Sequence, residues 1–247
     1  PWDIWKFAIC GAVSGSIGNI GLRFAYKYSD ISIAYPMARA IPVFLTMFLT
    51  MLFGWGAPLT AAATVGMIVI FAGCVIMAFS NNVKDKTWRE KLSFLKKGLP
   101  GIMIAAVGTT LYTIVDSYGV RGIMEFAPDR NKLLLAGTYS CIRESSVVVL
   151  MWGCVGLCRL RKKEPGALSS LLRSYHSYLA GAMAALAYVL ILLAMNYVTN
   201  VSFVQAFRQL SLPLSAFLGY LILKEKIAPV RWIGLSLIMA GLILSVL

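Results

Sequence analysis

The chain has 247 residues, of which 59% are hydrophobic and 13% charged, with 23 Lys and Arg against 10 Asp and Glu. That balance excludes an ordinary soluble domain of this length and makes the chain a membrane protein. Its formal net charge of +13 collects in short loops between apolar segments, which suits anionic lipid headgroups and gives no reason to expect nucleic acid.

Apolar stretches of about 18 to 25 residues recur, each long enough to cross a hydrocarbon core about 30 Å thick as a helix. Strand-like alternation is absent, which argues against a β-barrel. Eight spans are predicted, at 4–26, 31–53, 61–79, 98–120, 133–157, 176–197, 200–223 and 230–247. The first carries the small residues Gly11, Ala12, Gly15, Ser16 and Gly18, followed by Asn19. The second, "SIAYPMARAIPVFLTMFLTML", holds Arg39 with Tyr35 one turn before it and Pro36 and Pro42 on either side. Gly66 and Gly73 mark the third, and a basic linker is expected over 81–97.

The fourth span contains Tyr112 and Asp116, and the fifth carries adjacent Arg143 and Glu144 in "YSCIRESSV". Successive helical residues point about 100° apart, so one member of that pair is expected to turn toward a neighbouring helix. The sixth span begins near His176 and includes Tyr188. In the seventh, "VSFVQAFRQLSLPLSAFLGYLIL", Arg208 follows Gln205 and precedes Pro213; Gly234 and Gly241 mark the eighth.

A shift of 169 superimposes Ala25 on Ala194, Tyr28 on Tyr197 and Arg39 on Arg208; one further slip brings Gly66 onto Gly234 and Gly73 onto Gly241. Two copies of one unit are implied. The small residues of the first span match Ala180, Gly181, Ala184, Ala185 and Ala187, a pattern that lets helices approach closely in lipid. Two spans, 98–120 and 133–157, precede the matched part of the second copy and have no counterpart in the first. Five spans per copy and two upstream spans missing from this chain are therefore expected, with residues 1–80 the end of the first repeat and 98–247 the second.

An odd number of spans inverts the second copy in the membrane, the arrangement of many secondary transporters. Charge agrees. Basic loops lie around Arg23/Lys27, Lys84–Lys97, Arg159–Arg173 and Lys224–Arg231, whereas 54–60 and 198–200 carry no Lys or Arg. The positive-inside rule makes the basic loops, and the linker among them, cytoplasmic.

The closing segment, "VSFVQAFRQLSLPLSAFLGYLILKEKIAPVRWIGLSLIMAGLILSVL", resembles the final helix pair of the EamA branch of the drug/metabolite transporter superfamily. It has the proline-containing helix, the Leu-x-Glu turn at Leu223–Glu225 and the helix with Gly234 and Gly241. "SIAYPMARAIPVF" with "GMIVIFAG", and "LYTIVDSYGVRG", are similar to other elements of that family. The resemblance implies an all-α bundle of two inverted five-helix repeats, eight helices being present here, in a bacterial cytoplasmic membrane, with a substrate path between the halves. It departs at Gly56 or Ala57, where the first repeat lacks a counterpart of Glu225.

No nucleophile and base pair, Gly-rich phosphate loop or metal-ligand set is evident, so neither an enzyme nor a cofactor is expected. Cys154 and Cys158 share a helix face without a third ligand. The intramembrane charges point to function instead, because a charge in a bilayer costs several kcal/mol and turns toward protein or water. Arg39, Arg208 and Arg143 stand against Asp116 and Glu144, which leaves one positive charge for a substrate anion if all converge. Tyr35, Gln205, Asn19, Tyr112 and Tyr188 are the candidate hydrogen-bonding partners of a small-molecule substrate. Asp116 and Glu144 are candidates for a coupling proton or for ion pairs. The expected function is alternating-access transport of a small anionic or zwitterionic metabolite, the alternatives being export of lipophilic cations and a non-transporting membrane assembly subunit.

Overall fold

A computed structural model describes residues 2–29, 31–80, 88–161, 174–222, 224 and 228–247. Within them the regular structure is helical: α1 (Trp2–Tyr28), α2 (Ile31–Phe53), α3 (Ala61–Ser80), α4 (Trp88–Phe126), α5 (Lys132–Arg161) and α6 (Tyr175–Met195). There follow α7 (Val201–Phe207), a 3-10 turn (Arg208–Leu210), α8 (Ser211–Ile222) and α9 (Pro229–Leu244). Six helices, α1 to α6, contain segments long and apolar enough to cross a bilayer, and the chain is a multi-pass helical membrane protein. The basic stretches 81–87 and 162–173, and the turn residues Leu223 and Glu225, lie outside the described residues.

Two boundaries differ from the sequence expectation. Helix α4 starts at Trp88, inside the segment assigned to a linker, because "WREKLSFLKKGL" contains no proline before Pro100 and its one glycine, Gly98, comes only near its end. The expected span 200–223 is not one helix but 7 residues of α7, 3 of 3-10 turn and 12 of α8. Pro213 has no N–H for the carbonyl of Gln209, and its ring crowds that carbonyl, so the backbone tightens one turn earlier. In α2, by contrast, the helix continues through Pro36 and Pro42.

The chain forms two compact units, one of Pro1–Ser16 with Ile114–Tyr197 and one of Ile17–Thr113 with Val198–Leu247. In the first, α5 lies against α6, and Phe7 stacks on Tyr118 with ring centroids 6.2 Å apart. Gly119 is needed where the Tyr139 ring presses on α4, since a Cβ there would sit 2.5 Å from Cε2. The small residues 180–187 of α6, expected at a close helix contact, are exposed, and a Cβ on Gly181 would meet only open space. Without a second helix backbone near them they add no close packing among the described residues.

The second unit is built on α3 against α9. A Cβ at Gly66 would lie 2.7 Å from the Gly241 carbonyl, and one at Gly73 would lie 2.8 Å from that of Gly234. The later glycine of one helix meets the earlier one of the other, so α3 and α9 run antiparallel with backbones in direct contact. Ile70 and Met67 of α3 and Ile238 of α9, all fully buried, fill the seam. A smaller cluster joins Ala25, Ala34, Ala38, Ile102 and Ala105, with Gly21 and Gly101 allowing α1 and α4 to touch.

Candidate functional site

In the second unit, α2 and the 3-10 turn bring Arg39 and Arg208 together. Arg39 Nη1 donates to the Arg208 carbonyl at 3.4 Å and to Ser211 Oγ at 3.4 Å, and Nη2 donates to the Tyr35 hydroxyl at 2.8 Å. Reciprocally, Gln209 Nε2 donates to the Arg39 carbonyl at 3.2 Å. The Arg208 guanidinium donates to Gln205 Oε1 at 3.2 Å and to the Tyr112 hydroxyl at 3.0 Å. Each guanidinium also faces a ring, Arg39 at 5.2 Å from Tyr35 and Arg208 at 5.8 Å from Tyr112, which adds cation–π attraction. Both arginines are partly buried. Sequence reasoning placed Tyr35, Arg39, Tyr112, Gln205 and Arg208 in the site, and all five meet in this cluster.

Why the backbone takes part follows from Pro213. The tightened turn presents the Arg208 carbonyl to Ser211 Oγ at 2.9 Å as well as to Arg39. The 3-10 turn that contains Gln209, the helical partner Pro213 would have had, is thus where the Arg39 side chain meets the Arg208 backbone. The partners of Arg39 are all neutral oxygens, so no carboxylate among the described residues offsets its charge.

The first unit holds a different cluster around Asp116, which is fully buried. Tyr139 OH donates to Oδ1 at 2.8 Å, Tyr188 OH donates to Oδ2, and Arg143 Nε lies 3.5 Å from Oδ2. Arg143, only 6% exposed, also donates to Glu144 Oε1 and covers the Tyr188 ring at 4.6 Å. Two phenols and a guanidinium are aimed at one carboxyl group, which both phenols use as an acceptor. Gly11 and Gly15 of α1 make room: a Cβ on the first would strike Asp116 Oδ1, and one on the second would come 2.5 Å from Arg143 Nη2.

Three expectations change here. Arg143 and Glu144 do meet, because both side chains are long enough to close the angular gap between adjacent helical positions. The charge count changes as well, since Arg143 engages both carboxylates itself. Asn19 is exposed on α1 and takes no part in either cluster. Tyr139, Gln209 and Ser211 were not anticipated. Tyr139 had a signal, standing four residues before Arg143 on the same helix face, whereas Ser211 depends on the turn at Arg208, which spacing alone does not show. Of the cysteines, Cys74 is buried in α3 and Cys10, Cys141 and Cys154 are exposed.

No model of a known protein family matches the chain, and no curated protein sequence is significantly similar to it.

Proposed function

We propose that the chain is a secondary transporter that moves a small anionic or zwitterionic metabolite by alternating access, as its resemblance to the EamA branch of drug/metabolite transporters implies. The observation that carries this reading is Arg39: a partly buried guanidinium held by Tyr35, Ser211 and a backbone carbonyl, with Arg208 in the same cluster. A positive charge in a membrane protein with only neutral partners is an anion site in waiting. Guanidinium suits it, since its planar fork grips carboxylate or phosphate through parallel hydrogen bonds. Tyr112, Tyr35 and Gln205 orient the two forks and offer further hydrogen bonds to the cargo.

The crossed pairing of Gly66 with Gly241 and Gly73 with Gly234 supports inverted repeats. If Gly66 and Gly234 are equivalent, as are Gly73 and Gly241, each contact is the mirror of the other under a two-fold axis. Asp116 is the better candidate for the coupling proton: protonation would remove the charge that Arg143, Tyr139 and Tyr188 all address, and free those groups to move. Export of lipophilic cations would need a carboxylate for cargo, yet Asp116 and Glu144 are both engaged by Arg143.

The test is flux and binding in proteoliposomes with Arg39→Gln and Arg208→Gln, over a panel of monocarboxylates, dicarboxylates, phosphate esters and amino acids. Each change should weaken binding of the transported anion about tenfold or more, the scale of a charge-assisted hydrogen bond pair. Undiminished transport of every anion in both variants would refute the recognition role.

A further inference from the structure

The contact between α2 and α7 is lined by polar side chains, most of which anion recognition leaves unused. Arg39, Thr46 and Thr50 share one face of α2, and Ser202, Gln205 and Gln209 share one face of α7 and its 3-10 continuation. The two faces are joined at several heights. Gln209 Nε2 donates to the Arg39 carbonyl at 3.2 Å, and the hydroxyls of Thr50 and Ser202 share a hydrogen bond of 2.9 Å. At the end nearest loop 54–60, Asn200 Nδ2 donates to the carbonyls of Ala57 at 3.0 Å and Trp55 at 3.5 Å, and Ala57 N–H donates to the Thr199 carbonyl at 3.1 Å.

Thr46, Ser202 and Gln209 are fully buried, and Thr50 and Gln205 nearly so. Even so, Thr46 Oγ1 and Gln209 Oε1 have no hydrogen-bond partner among the described residues. Buried polar atoms in proteins are overwhelmingly paired. A helix contact made only for stability would place aliphatic side chains here, as the rest of α2 does with Val43 and Met47. A continuous polar line with two orphaned atoms is instead a surface suited to water and now shut.

We propose that this line is the solute's path between the twin-arginine cluster and the uncharged loop 54–60, closed in this structure by a latch in which Asn200 holds Trp55 and Ala57. Asn200 suits a latch because it belongs to α7: its Oδ1 accepts the Ser202 N–H at 2.9 Å as the helix N-cap, so the amide donors move with that helix. The loop is shaped to receive it. Gly56 has φ of 87°, and any Cβ there would come 2.9 Å from the Thr199 carbonyl. When α7 withdraws, Thr46, Thr50, Ser202 and Gln205 become the polar wall of an open route. The solute's charge rests on the transport reading above; the latch does not.

The test needs no substrate. Ser202→Cys is reconstituted in liposomes and its rate of modification by a membrane-impermeant, positively charged methanethiosulfonate is measured, with the unsubstituted chain giving the background of the native cysteines. Asn200→Ser is then added, which keeps a capping oxygen for the Ser202 N–H but removes both donors to the loop. Modification should be slow in Ser202→Cys alone and rise about tenfold with the second change, the factor carried by roughly one lost hydrogen bond. A disulfide between Ala57→Cys and Thr199→Cys in that background should return the rate to its slow value. Equal rates with and without Asn200→Ser, whether both slow or both fast, overturn the latch, provided thermal unfolding shows both variants folded. If the labelling shift appears but no anion is bound or moved by the unsubstituted chain, the transport reading fails and the latch stands.

Discussion

The seam between α3 and α9 allows a prediction with a computable size. Replacing Gly73 by Ala puts a Cβ 2.8 Å from the Gly234 carbonyl and 3.0 Å from the Ile238 nitrogen, where ordinary contact begins at 3.4 Å. Both obstacles are on the partner helix backbone or close to it, so the helices must part by about 0.6 Å, the difference between 3.4 and 2.8 Å. A gap of that order forfeits a quarter to a half of each dispersion contact along the seam, and overpacking of this kind costs about 1–3 kcal/mol. The better helix propensity of Ala returns at most about 1 kcal/mol. Gly73→Ala should therefore destabilise by about 0–2 kcal/mol, read from reversible unfolding in mixed micelles titrated with a denaturing detergent and followed by tryptophan fluorescence. Adding Gly234→Ala should cost little more, because helices already moved apart by the first methyl accept the second, and the pair should be non-additive by about 1 kcal/mol. Gly153→Ala, where no atom lies within 4 Å, is the control for helix propensity alone and should gain up to about 1 kcal/mol, leaving it about 1–3 kcal/mol more stable than Gly73→Ala. A Gly73→Ala variant as stable as Gly153→Ala, or a double variant whose losses simply add, would refute the close-contact argument.

Other outcomes follow from the two charged clusters. Asp116→Asn leaves Arg143 without its buried carboxylate and gives Tyr139 and Tyr188 one acceptor in place of two; a loss of about 3–5 kcal/mol is expected in the same unfolding assay, and a loss below about 1 kcal/mol would show that Asp116 is not the hub of that cluster. Pro213→Ala restores an N–H for the Gln209 carbonyl and lets α7 and α8 run on as one α-helix. Stability should rise by about 1–3 kcal/mol while calorimetry shows anion affinity reduced severalfold, since the Arg208 carbonyl would no longer face Arg39; unchanged affinity would detach the turn from recognition.

Composition and pattern alone decided the class and most of the helices. An apolar run of some 20 residues in a bilayer has no option except to satisfy its backbone within itself, so its length and hydrophobicity suffice. The likeness of the Arg39 segment to the Arg208 segment at a shift of 169 was legible too, whereas their contact is seen only in the bond from Arg39 to the Arg208 carbonyl. What side chains do at close range was not. Asp116 and Arg143 are 27 positions apart, and nothing in spacing says that Arg143 would also take Glu144, so which charges pair with which had to come from packing. Nor does a lone Pro213 announce whether its helix continues, as α2 does through Pro36 and Pro42, or gives way to a 3-10 turn. Periodicity is a local property of the chain and survives translation into sequence, while pairing between distant polar groups is settled by which backbones can touch, and here by the glycines that let them.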